Sequence, residues 1–269
     1  MTDLIARREH FALVGSTNDV VRGWLADGTP EVCLAVADEQ TAGRGRDGRT
    51  WTAPSRAAVL LSLGFRPTWL PVDRTWRLAA CVSLAMAESA EAIADVPSGT
   101  IRLKWPNDLV IESRSAMRKL GGILGESDGL GTADPRVVIG IGVNGDWTAA
   151  TFPADLADSM TSLRAMAADR PIDHDALMEA FVGTLADAVA GLRDGHFDVA
   201  GWTDRQLTTG RDVELTAPDG GTTTLRALEV DPASGALVVA DVAAPEGRRA
   251  IVVGEIRHVR LAAAEAAGV

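Results

Sequence analysis

Cysteine is scarce in this chain, with Cys33 and Cys81 the only two. Both lie in apolar segments, so they read as small core residues and a disulfide framework is not expected. No apolar run approaches the ~18 residues that a membrane span needs. The opening Met1-Thr2-Asp3-Leu4-Ile5-Ala6-Arg7-Arg8-Glu9-His10 has no apolar stretch long enough for a signal peptide. The expectation is a cytoplasmic protein with no membrane partner. Net positive charge is lacking too: the balance is -11, which argues against broad, non-specific nucleic-acid binding.

What is present is an ordinary globular composition. The hydrophobic fraction of 46% excludes wholesale disorder, and 269 residues leave room for one large domain or a large one with a small one. Patterning predicts a short strand over 9–14 and a helix opening at Ser16-Thr17-Asn18-Asp19. A buried strand follows at 32–37, then a glycine-containing loop over 40–54 and a strand over 57–65. The longest helical pattern covers 73–94. Short strands at 101–105 and 109–111 flank Pro106-Asn107-Asp108, further strands are predicted at 119–126 and 136–143, and helices at 173–192 and 199–207. From Arg211 the texture changes to short alternating strands punctuated by Pro218-Asp219-Gly220-Gly221, Asp231-Pro232 and Pro245-Glu246-Gly247, the pattern of a small β-barrel or meander. The predicted architecture is α+β: a mixed sheet layered with helices over 1–208, then a small β domain over 209–269.

Five segments carry residues suited to chemistry. Between Thr41 and Arg56 there are four arginines against one acid, a local cation cluster in an acidic chain and a fit for phosphate or carboxylate. Its core, Gly43-Arg44-Gly45-Arg46-Asp47-Gly48, satisfies G-x-G-x-x-G. The context rejects a dinucleotide site, because Arg49-Thr50-Trp51-Thr52-Ala53-Pro54 cannot open a long helix and no acid stands about 20 residues on. The glycines still let backbone approach a ligand or close over one.

Lys104-Trp105-Pro106-Asn107-Asp108 is by composition an ordinary turn. Alternatively, Asp108 holds a divalent ion or orients an incoming amine. Lys119-Leu120-Gly121-Gly122-Ile123-Leu124-Gly125-Glu126 is either a strand with a solvated lysine at its start or a site where a ligand lies flat on small residues while the ammonium reaches an oxyanion. Ser16-Thr17-Asn18 reads first as a helix cap, since these residues are preferred there, and otherwise as a binding site for a neutral polar head. In Gly140-Ile141-Gly142-Val143-Asn144, the asparagine ends a strand or pairs with an adenine edge.

Taken in order, these segments resemble the biotin protein ligase family. The matching residues are Ser16-Thr17-Asn18, then Gln40-Thr41-Ala42-Gly43-Arg44-Gly45-Arg46, Arg49 and Trp51. Lys104-Trp105-Pro106-Asn107-Asp108, Lys119-Leu120-Gly121-Gly122-Ile123-Leu124 and Gly142-Val143-Asn144 follow, and Gly254-Glu255-Ile256-Arg257-His258-Val259-Arg260 resembles the end of that family's SH3-like domain. The resemblance implies a class II synthetase-like catalytic domain with a C-terminal SH3-like β-barrel. It implies joining of biotin to ATP with Mg²⁺, giving biotinyl-5′-AMP, and transfer to a lysine of a biotin carboxyl carrier domain.

By resemblance, Ser16, Thr17, Asn18, Gln40, Gly43, Arg44, Gly45, Arg46 and Lys119 bind biotin. Arg46, Arg49, Trp51 and Asn144 serve ATP and the adenylate, Arg44 and Lys119 are the catalytic candidates, and Asn107 and Asp108 lie near the metal or the acceptor lysine. Asp47 departs from the family, which commonly has a basic residue there. The stretch ahead of Ser16 is too short for the helix-turn-helix of some relatives, so the resemblance implies no DNA-binding role.

Overall fold

The structure is a computed structural model that describes residues 4–113, 116–217, 219–242, 247–252 and 258–261. The chain divides into two compact units. One holds the residues up to Arg102 with Asn107–Asp198; the other holds Leu103–Pro106 with Val199 onward.

A mixed seven-stranded sheet has the order β1-β2-β3-β7-β6-β5-β4. Its strands are β1 (Arg7–Phe11), β2 (Cys33–Ala37), β3 (Ala58–Phe65), β4 (Arg102–Lys104), β5 (Asp108–Glu112), β6 (Met117–Asp128) and β7 (Arg136–Asn144). β1 and β2 run parallel across α1 (Thr17–Ala26), whereas the β2–β3, β3–β7, β7–β6 and β6–β5 pairs are antiparallel. β3 is central, and every residue of its Ala-Val-Leu-Leu-Ser-Leu-Gly-Phe run is buried, as expected of a strand covered on both faces. α1 lays Val21, Trp24 and Leu25 against Cys33, Ala35 and Val138. Each large apolar side chain of that cluster contributes about 1.5–3 kcal/mol by leaving water. α2 (Trp76–Ala94) packs along α4 (His174–Arg193), with the short α3 (Leu163–Met166) between them in sequence. α4 is capped by Asp173, whose carboxylate accepts from the Asp175 and Ala176 N–H groups.

The second unit carries α5 (Val199–Asp204) and an antiparallel five-stranded sheet, β11-β10-β9-β8-β12. The strands are β8 (Asp212–Thr216), β9 (Thr222–Val230), β10 (Leu237–Asp241), β11 (Arg249–Ile251) and β12 (His258–Leu261). Leu103 joins this unit through backbone bonds with Arg205 and Leu207, both 2.8 Å. The Trp105 indole N–H donates to Gly235 O at 2.9 Å. Pro218 and Pro245-Glu246 of the expected turns, and Gly254–Arg257 of the tail, lie outside the described residues.

Several boundaries differ from the sequence reading. The first strand ends at Phe11, and Val14 instead pairs with Gln40 in an isolated bridge. The long helix starts at Trp76, after a tight 3-10 turn over Val72–Arg74. β6 runs on through Ser127-Asp128 because β7 pairs with it as far as Arg136. α5 stops at Asp204, where Gln206 takes up a bridge with Leu103. Among the described residues no helix is long and apolar enough to cross a membrane.

Candidate active site

The first unit gathers most of the singled-out residues around the N-terminus of α1. Ser16 is its N-cap residue, with extended backbone, but its hydroxyl makes no capping bond. Ser16, Thr17 and Asn18 are all buried, so their polar atoms need partners. Gln40 Oε1 supplies one, accepting from the Thr17 N–H at 2.7 Å and lying 3.0 Å from its hydroxyl. Ser62, on β3, supplies another. Its hydroxyl is 2.7 Å from Thr17 Oγ1 and 2.6 Å from Asn18 Oδ1, and with one proton it serves only one of them at a time. The Asn18 amide donates to Glu126 Oε2 at 2.6 Å. Gly140 makes room for this, because a Cβ there would run into the Asn18 side chain.

The Arg/Gly segment folds into a tight hairpin against this cluster. Its stem is zipped to the residues ahead of α1: the Thr41 and Ala42 N–H groups donate to Val14 O and Gly15 O at 2.9 and 2.8 Å. Its arms close through Trp51 N–H to Gly43 O at 3.0 Å and Gly45 N–H to Arg49 O at 2.7 Å. The tip is a 3-10 turn over Arg46–Gly48 with Asp47 left-handed at φ 56°, a conformation that aspartate tolerates better than most residues. Arg44 grips Asp19 with both end nitrogens, Nη1 at 2.8 Å and Nη2 at 2.7 Å. That hydrogen bond raises the Arg44 pKa and lowers that of Asp19.

Beside the hairpin, Lys119 Nζ donates to Asp108 Oδ1 at 2.5 Å and stands 5.7 Å from the centroid of the Trp51 ring. Arg46 faces the same region. Burial pushes its pKa down, while Asp47 and Asp108 act in the opposite sense. The Trp51 indole lies flat on β7 at Gly142, where a Cβ would sit 2.6 Å from Cε2. Trp51 Nε1 is buried and has no hydrogen-bond partner among the described residues. Lys119, Asp108, Arg46 and Trp51 thus bring two cations, a carboxylate and an aromatic face with an unsatisfied donor to one place. An anion with a flat ring attached suits that set.

Two candidates have structural partners of their own. The Asn107 amide donates to Ile123 O at 2.9 Å, and Ile123 N–H returns to Asn107 O at 2.9 Å. The Asn144 amide donates to Thr161 O at 2.7 Å from a buried position. Each pins a neighbouring segment and commits one of its amide donors. Arg49 meets the hairpin through its backbone, its N–H reaching Arg46 O at 3.2 Å. Neither cysteine belongs to the site: burial raises the Cys33 thiol to about 11 and the Cys81 thiol to about 12, so both stay protonated and unreactive.

Residues 11–144 match the model of the Biotin/lipoate A/B protein ligase family. A "Biotin--[acetyl-CoA-carboxylase] ligase" of Mycobacterium tuberculosis is 32% identical over 253 residues, covering 93% of this chain and 88% of that protein. The chain belongs to this ligase family. Among solved structures, a biotin protein ligase from Aquifex aeolicus in complex with biotin and ATP superposes with a TM-score of 0.75 at 22% identity, over 95% of this chain and 99% of that one. A Leishmania major biotin protein ligase in complex with biotinyl-5-AMP gives 0.58 at 25% identity, over 92% and 99%.

Three residues in contact with this cluster are not singled out by the motifs. Ser62 is the lone hydroxyl in an otherwise apolar, fully buried strand, and such a residue signals a buried polar contact. Glu126 follows the Lys119–Leu124 motif and meets Asn18 from 108 positions away in sequence. Asp19 reads as an ordinary first-turn acid until the hairpin places Arg44 on it.

Proposed function

We propose that this protein is an ATP-dependent biotin protein ligase. Biotin's carboxylate attacks the α-phosphorus of ATP, the bond to the β-phosphate oxygen breaks, and biotinyl-5′-AMP and pyrophosphate form. An amine from a carrier lysine then attacks the acyl carbon. AMP leaves, the amine proton is lost, and an amide remains. The observation that carries this reading is the grouping of Lys119, Asp108, Arg46 and the unsatisfied Trp51 indole beside the Ser16-Thr17-Asn18-Gln40 cluster.

In this reading Ser16, Thr17, Asn18 and Gln40 hold the ureido ring, with Gly45 lining it and Gly43 letting the Trp51 carbonyl and Gln40 close in beside it. Arg44 and Lys119 are the catalytic residues, donating to the biotin carboxyl and α-phosphate oxygens and so offsetting the repulsion of two anions. Trp51 stacks on the adenine, while Arg46, Arg49 and Asn144 line the nucleotide. Asp108 holds Lys119 in place and receives the acceptor amine, with Asn107 shaping that turn. The described residues hold no group of three or more His, Cys, Asp or Glu side chains fit for a cation. Mg²⁺ enters with ATP, bound through the phosphates as is common for this ion, and Asn107 and Asp108 lie in the vicinity of the metal or of the acceptor lysine.

We assign the catalytic domain to residues 1–208 and a small SH3-like domain to 209–269. The partner is the biotin carboxyl carrier domain of an acyl-CoA carboxylase, and the setting is the cytoplasm, without DNA binding. Incubation with biotin, MgATP and a carrier domain tests the reading: the carrier gains one biotinyl group, and pyrophosphate is released with biotin alone. Transfer of lipoate or octanoate but not biotin overturns it, and salt-sensitive, sequence-selective DNA binding overturns the assignment without DNA.

A further inference from the structure

Asp19 stands in the first turn of α1, and three observations tie it to the Arg/Gly hairpin and to the polar cluster. Its carboxylate takes both end nitrogens of Arg44, at 2.7 and 2.8 Å. Arg22, one turn on, reaches the same carboxylate at 2.9 Å and Glu126 at 2.8 Å. Glu126 in turn holds the Asn18 amide at 2.6 Å. Arg44, Asp19, Arg22, Glu126 and Asn18 therefore form one chain of charge-assisted bonds from the hairpin to the polar cluster.

This chain is poorly placed to stabilise the fold. The Asp19 and Arg44 side chains are 48% and 34% exposed, and exposed ion pairs contribute little to stability. Its geometry is nevertheless specific. A guanidinium has five N–H donors in a rigid plane. Asp19 occupies the end-on fork, which leaves the side fork, Nε–H with its neighbouring Nη–H, at a fixed orientation. Arg44 can then present that second fork to an oxyanion without searching for its angle.

We propose that Asp19 is a positioning residue: it fixes the plane of Arg44 so that the free fork of the guanidinium meets the reacting carboxyl and phosphate oxygens. The inference rests on the placement of Arg44 in the adenylation site argued above. In this inference Asp19 touches neither substrate and acts on the reaction through Arg44.

Adenylate formation by the full chain, followed as pyrophosphate release under varied biotin and ATP, tests it in four variants: Asp19→Ala, Asp19→Glu, Arg44→Ala and the Asp19→Ala/Arg44→Ala double. Asp19→Ala should lower kcat by about tenfold or more, because a small misplacement of a catalytic group has an effect of that order. KM for either substrate should move less than about threefold and the melting temperature should hold. Asp19→Glu, which keeps the carboxylate, should recover part of the rate. In the Arg44→Ala background Asp19→Ala should add nothing, the signature of two residues acting as one unit. A kcat unchanged in Asp19→Ala, or an equal loss on both backgrounds, overturns the inference. A normal rate in Arg44→Ala overturns instead the placement of Arg44 in the site.

Discussion

The contact between Trp51 and Gly142 offers a sharp test of where the nucleotide sits. A methyl group at Gly142 would lie 2.6 Å from Trp51 Cε2, 2.8 Å from Nε1 and 3.0 Å from Cζ2. These are rigid ring atoms, so Gly142→Ala cannot be absorbed by swinging the end of a flexible chain. The indole also packs on the buried group of Ala53, Ala57, Ala58, Leu60, Trp147 and Met160, which limits its sideways movement. Two responses remain. If the ring holds its place, overpacking costs about 1–3 kcal/mol of stability. If the ring lifts off β7, the flat surface that the proposed function gives to the adenine is lost.

Base stacking on an aromatic side chain contributes about 1–3 kcal/mol, or roughly 5- to 150-fold in affinity at about 1.4 kcal/mol per decade. Initial rates of pyrophosphate release against ATP concentration should therefore show KM for ATP raised at least about fivefold in Gly142→Ala. Biotin binding measured without nucleotide should stay within about twofold. The Trp51→Leu background has none of the ring atoms that meet the new methyl. Adding Gly142→Ala there should cost less stability than in the parent and should raise KM for ATP no further, a coupling read from the double variant. A Gly142→Ala protein with unchanged stability and unchanged KM for ATP would refute both the packing and the role of Trp51.

Lys119→Ala removes a preorganised donor and leaves Asp108 without its 2.5 Å partner; adenylate formation should fall about 10²–10³-fold in kcat, measured by single-turnover pyrophosphate release. Ser62→Ala strips a buried hydroxyl from contacts of 2.7 and 2.6 Å with Thr17 and Asn18; it should lower stability by about 1–3 kcal/mol in urea unfolding and weaken biotin binding measured by calorimetry. His174 is partly buried, its Nε2 accepts the Asp146 N–H at 3.1 Å, and burial depresses its pKa below 6.5. The unfolded chain thus binds a proton before the folded one does, so this residue's contribution is complete above pH 6.5 and is lost as pH falls towards the lowered folded-state pKa. Thermal melts between pH 7.5 and 5 should decline less steeply for His174→Gln than for the parent, and equal slopes would count against the assignment.

The sheet was legible in the sequence because its inner strands have a simple pattern. Leu60, Leu61 and Leu63, around Ser62, and Val137-Val138-Ile139 put apolar residues on both faces, as inner strands must. The motif residues were legible for another reason: they are polar groups clustered in short runs at element ends, where the chain turns. What could not be read were the pairings between distant runs. Glu126 finds Asn18 only once β6, β7 and β3 lie side by side. Asp19 finds Arg44 only because the stem at Thr41-Ala42 folds back on Val14-Gly15. The misjudged ends have the same origin, since Val14 and Gln206 take bridges to distant segments instead of extending their own strand and helix. Local pattern decides which residues are apolar or polar, and tertiary hydrogen bonds decide where an element stops.

Those distant pairings also explain how an acidic chain can carry a site for two anions. With a net charge of -11, its overall field repels ATP and the biotin carboxylate. Attraction must come from a few cations held close to the reacting atoms, where burial weakens screening. Yet two of those cations have acids beside them: Asp19 beside Arg44 and Asp108 beside Lys119. Such partners lower the net positive potential, so the site is poorly built for capture at a distance. What they supply is orientation, because a paired guanidinium or ammonium is already aimed before an oxyanion arrives and little reorganisation is left for the reaction itself. Salt should accordingly leave kcat almost unchanged while affecting KM for ATP through long-range repulsion alone. A site that worked by bulk positive charge would instead lose KM and kcat together as ionic strength rises.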